Sequence, residues 1–239
     1  MIKIFLSVFL SIHLLAFISD EEYFVFKKKD YSIIYTKEYQ KEASFIKINI
    51  DNFLKKYQES YNVILDEPLD IVLIGDNLQI ANAYSTQTPF NLITLYNNGS
   101  NSIDYFSATS RIAALFGHEL AHSYQINAKG SKVSKKLHQY LGNNEFPLFF
   151  GLPFFTLPNE SLPTFLIEGN AVYFESIISN GGRLHNGALN ALKNALLFDN
   201  KIIANRLINN HLEFPYRGEK YIIGGFYMQY LAQEFGENK

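Results

Sequence analysis

The first half of the chain distributes apolar and polar residues in a pattern that predicts a sheet with one long helix packed on it. Segment 23–36 indicates two short strands around a Lys-rich turn, because β-branched and aromatic residues flank that turn. Apolar residues near helical spacing predict an amphipathic helix over 37–62. Buried-strand patterns follow at 69–76 and 91–100, and the polar stretch 81–89 between them is predicted to be a loop.

The second half of the chain has the pattern of packed helices. Residues 107–125 repeat apolar positions every three or four residues, and a second such helix is predicted within 160–182, where it ends at a glycine pair. We therefore expect an α+β fold made of two parts. A sheet lobe, residues 20–126, contains the first of these helices, and a helical lobe, residues 127–239, contains the second.

Residues 1–19 have the pattern of a segment that directs export. One lysine precedes an apolar run at 4–18, and the chain becomes acidic directly after it. The run is shorter than the roughly 20 residues of a membrane span, which favours a signal peptide. Phe17 is bulkier than the side chain preferred before a cleavage site, so an N-terminal anchor is the alternative. Both interpretations predict an exported protein, whether periplasmic, secreted or held at a membrane.

The composition removes several function classes. The formal net charge is −2 and the lysines are scattered apart from short clusters, so the basic stripe of a nucleic-acid-binding protein is missing. The sequence contains no cysteine, which excludes disulfides, thiolate metal sites and a cysteine nucleophile. We therefore do not expect nucleic acid as a partner.

The segment LFGHELAHSYQ, residues 115–125, contains the sequence His-Glu-x-x-His on a predicted helix. His118 and His122 are four positions apart, so both imidazoles project from the same face and can reach one cation. Glu119 lies beside such a cation rather than on it, where its carboxylate can accept a proton from a metal-bound water. The spacing therefore predicts a zinc site with His118 and His122 as ligands and Glu119 as the general base.

A catalytic zinc site usually has three protein ligands, so a further ligand is required. Glu168 and Glu175 lie seven positions apart on one face of an otherwise apolar predicted helix. Carboxylates in such a setting are costly unless a metal, a histidine or water satisfies them. We predict Glu168 as the third ligand and Glu175 as the acceptor for the free N–H of His118 or His122. The remaining histidines considered as ligands are less favoured by their polar surroundings, and they are His138, His185 and His211.

Together the two motifs resemble those of the gluzincin metallopeptidases, in particular the peptidase MA-like branch. In that branch HELAH is followed at a distance by a segment similar to PTFLIEGNAVYFE, here residues 163–175, and by a helix that opens with Tyr-x-x-Gly, here within 221–236. The resemblance implies a zincin-like fold, in which an N-terminal mixed β-sheet with helices precedes a mostly helical lobe and the active-site helix lies between them. It also implies Zn²⁺ as the cofactor and a peptide or protein as the substrate.

The resemblance further implies that Tyr221 donates a hydrogen bond to the developing oxyanion, with Tyr227 and Tyr216 as alternatives. The expected reaction is peptide-bond hydrolysis by metal-activated water, in which Glu119 deprotonates the water and later protonates the leaving amine. The strand at 91–97 is expected to lie at the cleft and pair with an extended substrate.

One departure from the family bears on the substrate. The Gly-x-Met-Glu-Asn segment of many related aminopeptidases is absent from 81–96, which favours an endopeptidase. A catalytically inactive, zinc-stabilised scaffold and a peptide-binding module are the alternative functions.

The Phe- and Pro-rich segment 146–158 follows a cluster of lysines. It is interpreted as a lid or a packing excursion between the two motif helices. Contact with an anionic membrane surface is the alternative, because lysines beside exposed aromatic residues suit such a surface.

Overall fold

The computed structural model describes residues 22–75, 82–87, 90–96, 111–129, 132–141, 159, 162–179, 181–208 and 218–236. Several predictions concern positions outside this description, namely the N-terminal segment 1–19, the segment 146–158, the side chain of His138, and residues His211 and Tyr216. Among the described residues, no helix combines the length and the apolar character that crossing a bilayer requires.

Within the described ranges, five strands form one mixed sheet. Their bounds are β1 (Tyr23–Lys27), β2 (Tyr31–Thr36), β3 (Leu69–Ile74), β4 (Asn82–Thr86) and β5 (Asn91–Tyr96). The order across the sheet is β1-β2-β3-β5-β4. The inner pairs β2/β3 and β3/β5 are parallel, whereas the edge strands β1 and β4 run antiparallel to their neighbours. The α+β class expected from the sequence is thereby confirmed.

The helices that the structure describes are α1 (Gln40–Tyr61), α2 (Arg111–Asn127), α3 (Lys132–Leu141), α4 (Thr164–Ile178), α5 (Gly187–Phe198), α6 (Ala204–Ile208) and α7 (Glu219–Phe235). Single turns of 3₁₀ helix lie at Lys37–Tyr39 and Arg183–His185. Helices α1, α2 and α4 correspond to the three predicted from apolar spacing.

Two predictions about the sheet are wrong. The polar stretch 81–89 was expected to be a loop, but its residues 82–86 form the edge strand β4. The strand at 91–97 was expected to pair with a substrate, but β5 is hydrogen-bonded on both sides, to β3 and β4. Because an inner strand has no free backbone groups along its edges, it cannot accept a peptide by strand addition. The edge next to α2 belongs to β4.

Helix α1 buries one stripe of residues against the rest of the fold. The buried positions recur at intervals of three and four, and they are Ala43, Ile46, Ile50, Phe53 and Tyr57. Such spacing places them on one helical face. Asn62 caps the C-terminal end of the helix. Its φ of 50° is left-handed, a conformation that asparagine tolerates better than most residues.

Helix α2, which contains the histidine motif, lies in the centre of the molecule and contacts α1, α4, β4 and β5. Most of its residues are buried. Aromatic rings of Tyr57, Tyr61, Tyr124 and Phe174 pack together where α1, α2 and α4 meet. The Tyr57 hydroxyl also donates a 2.7 Å hydrogen bond to the carbonyl of Gly117, the residue before His118. The first histidine is thus held from the backbone side as well as by packing.

Helices α4 and α7 cross at a pair of glycines. A Cβ at Gly169 would lie 2.4 Å from the carbonyl carbon of Gly224, and a Cβ at Gly224 would lie 2.3 Å from the carbonyl oxygen of Phe165. Real Cβ atoms do not approach backbone atoms so closely, so this crossing needs glycine on both helices. The close approach brings Glu168, the neighbour of Gly169, beside the first turn of α7.

Candidate metal centre

The two histidines of α2 face each other across one turn, as their spacing predicts. Their Nε2 atoms are 3.2 Å apart, and the rings are almost perpendicular at 89°. His118 is buried and His122 is partly buried. Both Nε2 atoms therefore point to one region beside the helix.

Glu168 of α4 directs one carboxylate oxygen into that same region. Its Oε2 lies 3.3 Å from Nε2 of His118 and 3.4 Å from Nε2 of His122. A tetrahedral zinc ion with bonds of about 2.0 to 2.1 Å requires its ligand atoms to be separated by about 3.3 Å. Two imidazole nitrogens and one carboxylate oxygen at this spacing fit zinc in both geometry and donor type. Among the described residues, this trio is the group of three potential ligands that can hold a metal ion.

Glu175 lies on α4 two turns after Glu168, and its carboxylate contacts Nδ1, the second ring nitrogen of His118. Its Oε2 is 2.7 Å from Nδ1 of His118, and its side chain is fully buried. If Nδ1–H donates to this carboxylate, Nε2 keeps its lone pair for a metal ion. The sequence left open whether Glu175 contacts His118 or His122, and in the structure it contacts His118. Nδ1 of His122 is buried and has no hydrogen-bond partner within the part of the chain that the structure describes.

Arg183 completes the surroundings of Glu175. Its Nη1 donates to Glu175 Oε2 at 3.0 Å, and its backbone N–H donates to Oε1 at 2.9 Å. Gly182, with a φ of 99°, provides the turn that delivers both groups. Nη1 also lies 3.1 Å from Nδ1 of His118. We interpret this approach as proximity rather than a bond, because both nitrogens donate to the same carboxylate.

The carboxylates of Glu168 and Glu175 stabilise positive charge on the candidate ligand His118. Burial and the nearby Arg183 oppose protonation of His118, but hydrogen bonds with Glu168 and Glu175 outweigh them and raise the pKa of His118 to about 9. Burial alone would raise the pKa of Glu168, yet its hydrogen bonds with His118 and His122 hold that pKa far below the usual range. The carboxylate of Glu168 is therefore ionised, as a metal ligand must be.

Glu119 faces the same cavity as the three ligands. The residue is buried, and its Oε2 has no hydrogen-bond partner among the residues that the structure describes. Burial raises the pKa of Glu119, while the positive charge of the neighbouring histidines acts in the opposite direction. A buried, unpaired carboxylate oxygen is costly, and such groups are found where they serve a reaction or bind a ligand.

Tyr221, on the first turn of α7, lies close to the ligands. Its ring centroid is 6.0 Å from that of His118, and the residue lines the cavity. Burial and the negative charge of Glu168 raise the pKa of its hydroxyl, so this phenol remains a neutral hydrogen-bond donor. The alternative Tyr227 is 42% exposed and packs on Phe165, away from the cavity lining.

The cavity over the ligands has a volume of about 220 Å³. Its walls include four residues of the edge strand β4, Asn82 to Ser85, opposite His118, His122 and Arg183. A larger cavity of about 700 Å³ lies elsewhere, between α1 and the segment 64–68. Since the histidine and glutamate group borders the smaller cavity, we place the candidate site there.

Two charged residues near the ligands were not anticipated from the sequence. Arg183 contacts Glu175 and His118, and Lys220 lies 3.3 Å from Oε1 of Glu168. No motif marks either residue, because each is brought to the site by a turn or by the crossing of two helices. His185, considered as a ligand, instead places Nε2 3.1 Å from the carbonyl of Ser176.

Comparison with known proteins adds no assignment. No protein-family model matches the chain, and no curated protein matches it.

Proposed function

We propose that the protein is a zinc-dependent peptidase of the gluzincin type, which hydrolyses peptide bonds with a metal-activated water. The observation that carries this proposal is the convergence of His118, His122 and Glu168 at tetrahedral spacing, beside the unpaired carboxylate oxygen of Glu119. A metal site built only for stability has no use for an additional buried carboxylate next to it.

His118, His122 and Glu168 would hold the metal, and Glu175 would fix the tautomer of His118. Zinc, when bound, polarises the scissile carbonyl and lowers the pKa of its water to about 7. Glu119 would act as the base that takes up the proton of the attacking water and as the acid that returns it to the leaving amine. The burial of Glu119 supports this role, since burial raises the pKa of its carboxyl and so makes the carboxylate a stronger base.

Tyr221 is proposed to stabilise the negative charge that develops on the substrate carbonyl oxygen. Its place in the cavity lining and its raised pKa both support a neutral donor at this position. Arg183 lines the same cavity, but both its guanidinium and its backbone N–H are engaged by Glu175.

The substrate is proposed to bind as an extended peptide along β4. One edge of β4 pairs with β5, and residues 82–85 line the cavity next to the histidines. A peptide that pairs with the other edge of β4 would lie beside the cavity that the candidate ligands border. An endopeptidase fits this arrangement, and the export signal read from residues 1–19 leads us to propose that it acts outside the cytoplasm.

The test combines metal analysis with peptide hydrolysis. We expect wild-type protein to contain close to one equivalent of zinc and to cleave members of a mixed peptide library. Glu119→Gln should retain zinc and lose about 10²- to 10⁴-fold in turnover, the usual contribution of general acid–base catalysis. Glu59→Gln is the matched control, because Glu59 is exposed on α1 and, among the described residues, forms an ion pair with Lys55 at 3.9 Å.

The alternatives give different results. Zinc without turnover in the wild-type protein would favour the inactive scaffold or the peptide-binding module. Absence of bound zinc after exposure to the metal would remove the proposed mechanism.

A further inference from the structure

The two carboxylate oxygens of Glu168 have different neighbours, and one of these neighbours is Lys220. Nζ of Lys220 lies 3.3 Å from Oε1, while Oε2 faces the two histidine nitrogens. Both side chains are largely buried, with 17% and 15% of their surfaces exposed. Lys220 precedes Tyr221 on the first turn of α7 and does not line the cavity among the described residues. Its ammonium group therefore acts on Glu168 rather than on a substrate.

A carboxylate can bind a metal ion through one oxygen or through both. Coordination by both oxygens would occupy space that the catalytic water needs, since a catalytic zinc site keeps one position open. A cation on Oε1 opposes this second bond, because Oε1 would have to leave the ammonium group. We propose that Lys220 is a positioning residue that restricts Glu168 to a single metal bond through Oε2. This inference rests on the proposed metallopeptidase function.

The crossing of α4 and α7 gives this contact a fixed geometry. Gly224 lies one turn after Lys220, and its backbone touches that of Gly169, the residue after Glu168. Lys220 is also held over the ring of Tyr221, at 5.0 Å from the centroid. The ammonium group is thus positioned by its contact with the Tyr221 ring and by the helix packing, and the carboxylate of Glu168 lies beside it.

The variant Lys220→Met should behave differently depending on whether Lys220 only stabilises the fold or also positions Glu168. If Lys220 only stabilises the fold, Lys220→Met weakens both folding and metal binding. If it restricts Glu168, the same change removes a cation from the metal surroundings and frees Oε1. Metal affinity then rises while turnover falls. The direction of the change in metal affinity separates the two roles.

The experiment uses the full chain with cobalt in place of zinc, because the visible spectrum of Co²⁺ reports coordination number. Zinc and cobalt affinities are measured by competition with a chromophoric chelator. For Lys220→Met we expect on the order of tenfold tighter metal binding, a weaker visible absorption typical of higher coordination, and reduced turnover. Lys220→Arg, which keeps the charge, should restore the wild-type spectrum and much of the turnover.

Lys193→Met is the matched control. Lys193 is also partly buried and also contacts α7, where its ammonium lies 4.3 Å from the ring centroid of Phe226, but no carboxylate contact is described for it. This variant should leave the spectrum and the metal affinity unchanged. Any general effect of losing a lysine that packs on α7 therefore appears in the control as well.

The outcomes distinguish this inference from the proposed function. If the wild-type protein binds metal and hydrolyses peptides, while Lys220→Met binds metal no more tightly and keeps the wild-type spectrum, the role given to Lys220 is wrong. If the wild-type protein binds neither metal, both proposals fall. Wild-type metal binding without hydrolysis overturns the peptidase proposal, and the spectrum of Lys220→Met still decides the positioning role.

Discussion

Gly224→Ala tests whether the crossing of α4 and α7 sets the position of the third ligand. The new Cβ would lie 2.3 Å from the carbonyl oxygen of Phe165 and 3.0 Å from Cα of Gly169. Both neighbours are backbone atoms, so they cannot rotate away as a flexible side chain can. Restoring ordinary contact requires the two helices to separate by about 1 Å.

The expected loss of stability combines two opposing effects. Overpacking of this kind costs about 1 to 3 kcal/mol. Replacing a helical glycine by alanine contributes up to about 1 kcal/mol in the favourable direction. We therefore expect Gly224→Ala to lower the free energy of unfolding by up to about 2 to 3 kcal/mol when no metal is present.

Gly224→Ala should weaken metal binding in addition to its effect on the fold. Metal–ligand distances tolerate errors of only about 0.2 Å, and Glu168 is directly bonded to Gly169 at the crossing. A shift of about 1 Å in α4 therefore misplaces Oε2 relative to the histidines. We expect zinc affinity to fall by at least about tenfold, which corresponds to about 1.4 kcal/mol.

The assay is urea unfolding followed by circular dichroism, first with a chelator and then with excess zinc. The difference between the two free energies of unfolding reports zinc binding to the folded state. Gly187→Ala is the control, because Gly187 opens α5 and a Cβ there has no neighbour within 4 Å. If Gly224→Ala matches the wild-type protein in both measurements, the helix crossing does not position the ligand.

Three further changes test other contacts around the site. Glu175→Gln should weaken zinc binding by about 10- to 100-fold, because the partner of His118 loses its charge and its pairing with Arg183; equal affinity in a chelator competition would contradict this. Removal of zinc held at 100 times its dissociation constant should lower the free energy of unfolding by about 2.7 kcal/mol, so an unchanged calorimetric transition would argue against a structural contribution of the metal. Tyr57→Phe removes the buried hydrogen bond to the Gly117 carbonyl and should cost about 0.5 to 1.5 kcal/mol in urea unfolding, with and without zinc.

Helices α2 and α4 could be predicted because their candidate site residues are separated by intervals that also place residues on one face of a helix. The separation of four between His118 and His122 places both on one face, and the separation of seven between Glu168 and Glu175 does the same on α4. The sequence also offered the physical reason to expect a partner for these carboxylates, since the surrounding positions are apolar. The structure places both within hydrogen-bond distance of His118.

The strand β4 could not be predicted in the same way. Its residues, NAYST, lack the apolar alternation of a half-buried strand and include asparagine and serine, which favour turns. It forms as an edge strand because β5 offers it a backbone ladder and because Ser85 meets Ser123 of α2 at 3.0 Å. Such tertiary contacts leave no periodic signal in the sequence.

The positions of Arg183 and Lys220 were unpredictable for a related reason. Arg183 reaches Glu175 through the turn at Gly182, and Lys220 reaches Glu168 through the contact of two glycines on different helices. Both depend on how close two backbones come. A glycine in a sequence indicates that close approach is allowed, but not which backbone approaches it.

The carboxylate oxygens around the candidate site divide into satisfied and unsatisfied atoms. Both oxygens of Glu175 accept hydrogen bonds, and both oxygens of Glu168 face a lysine or a histidine. Oε2 of Glu119 is the exception among these, since it is buried without a partner in the described part of the chain. Leaving such an atom unpaired costs about 1 to 3 kcal/mol, more for a charged group. The carboxylates of Glu168 and Glu175 are thus held by specific contacts, whereas Oε2 of Glu119 is not. The unfavourable burial of an unpaired oxygen therefore occurs at Glu119, whose proposed role requires a free oxygen that can accept a proton.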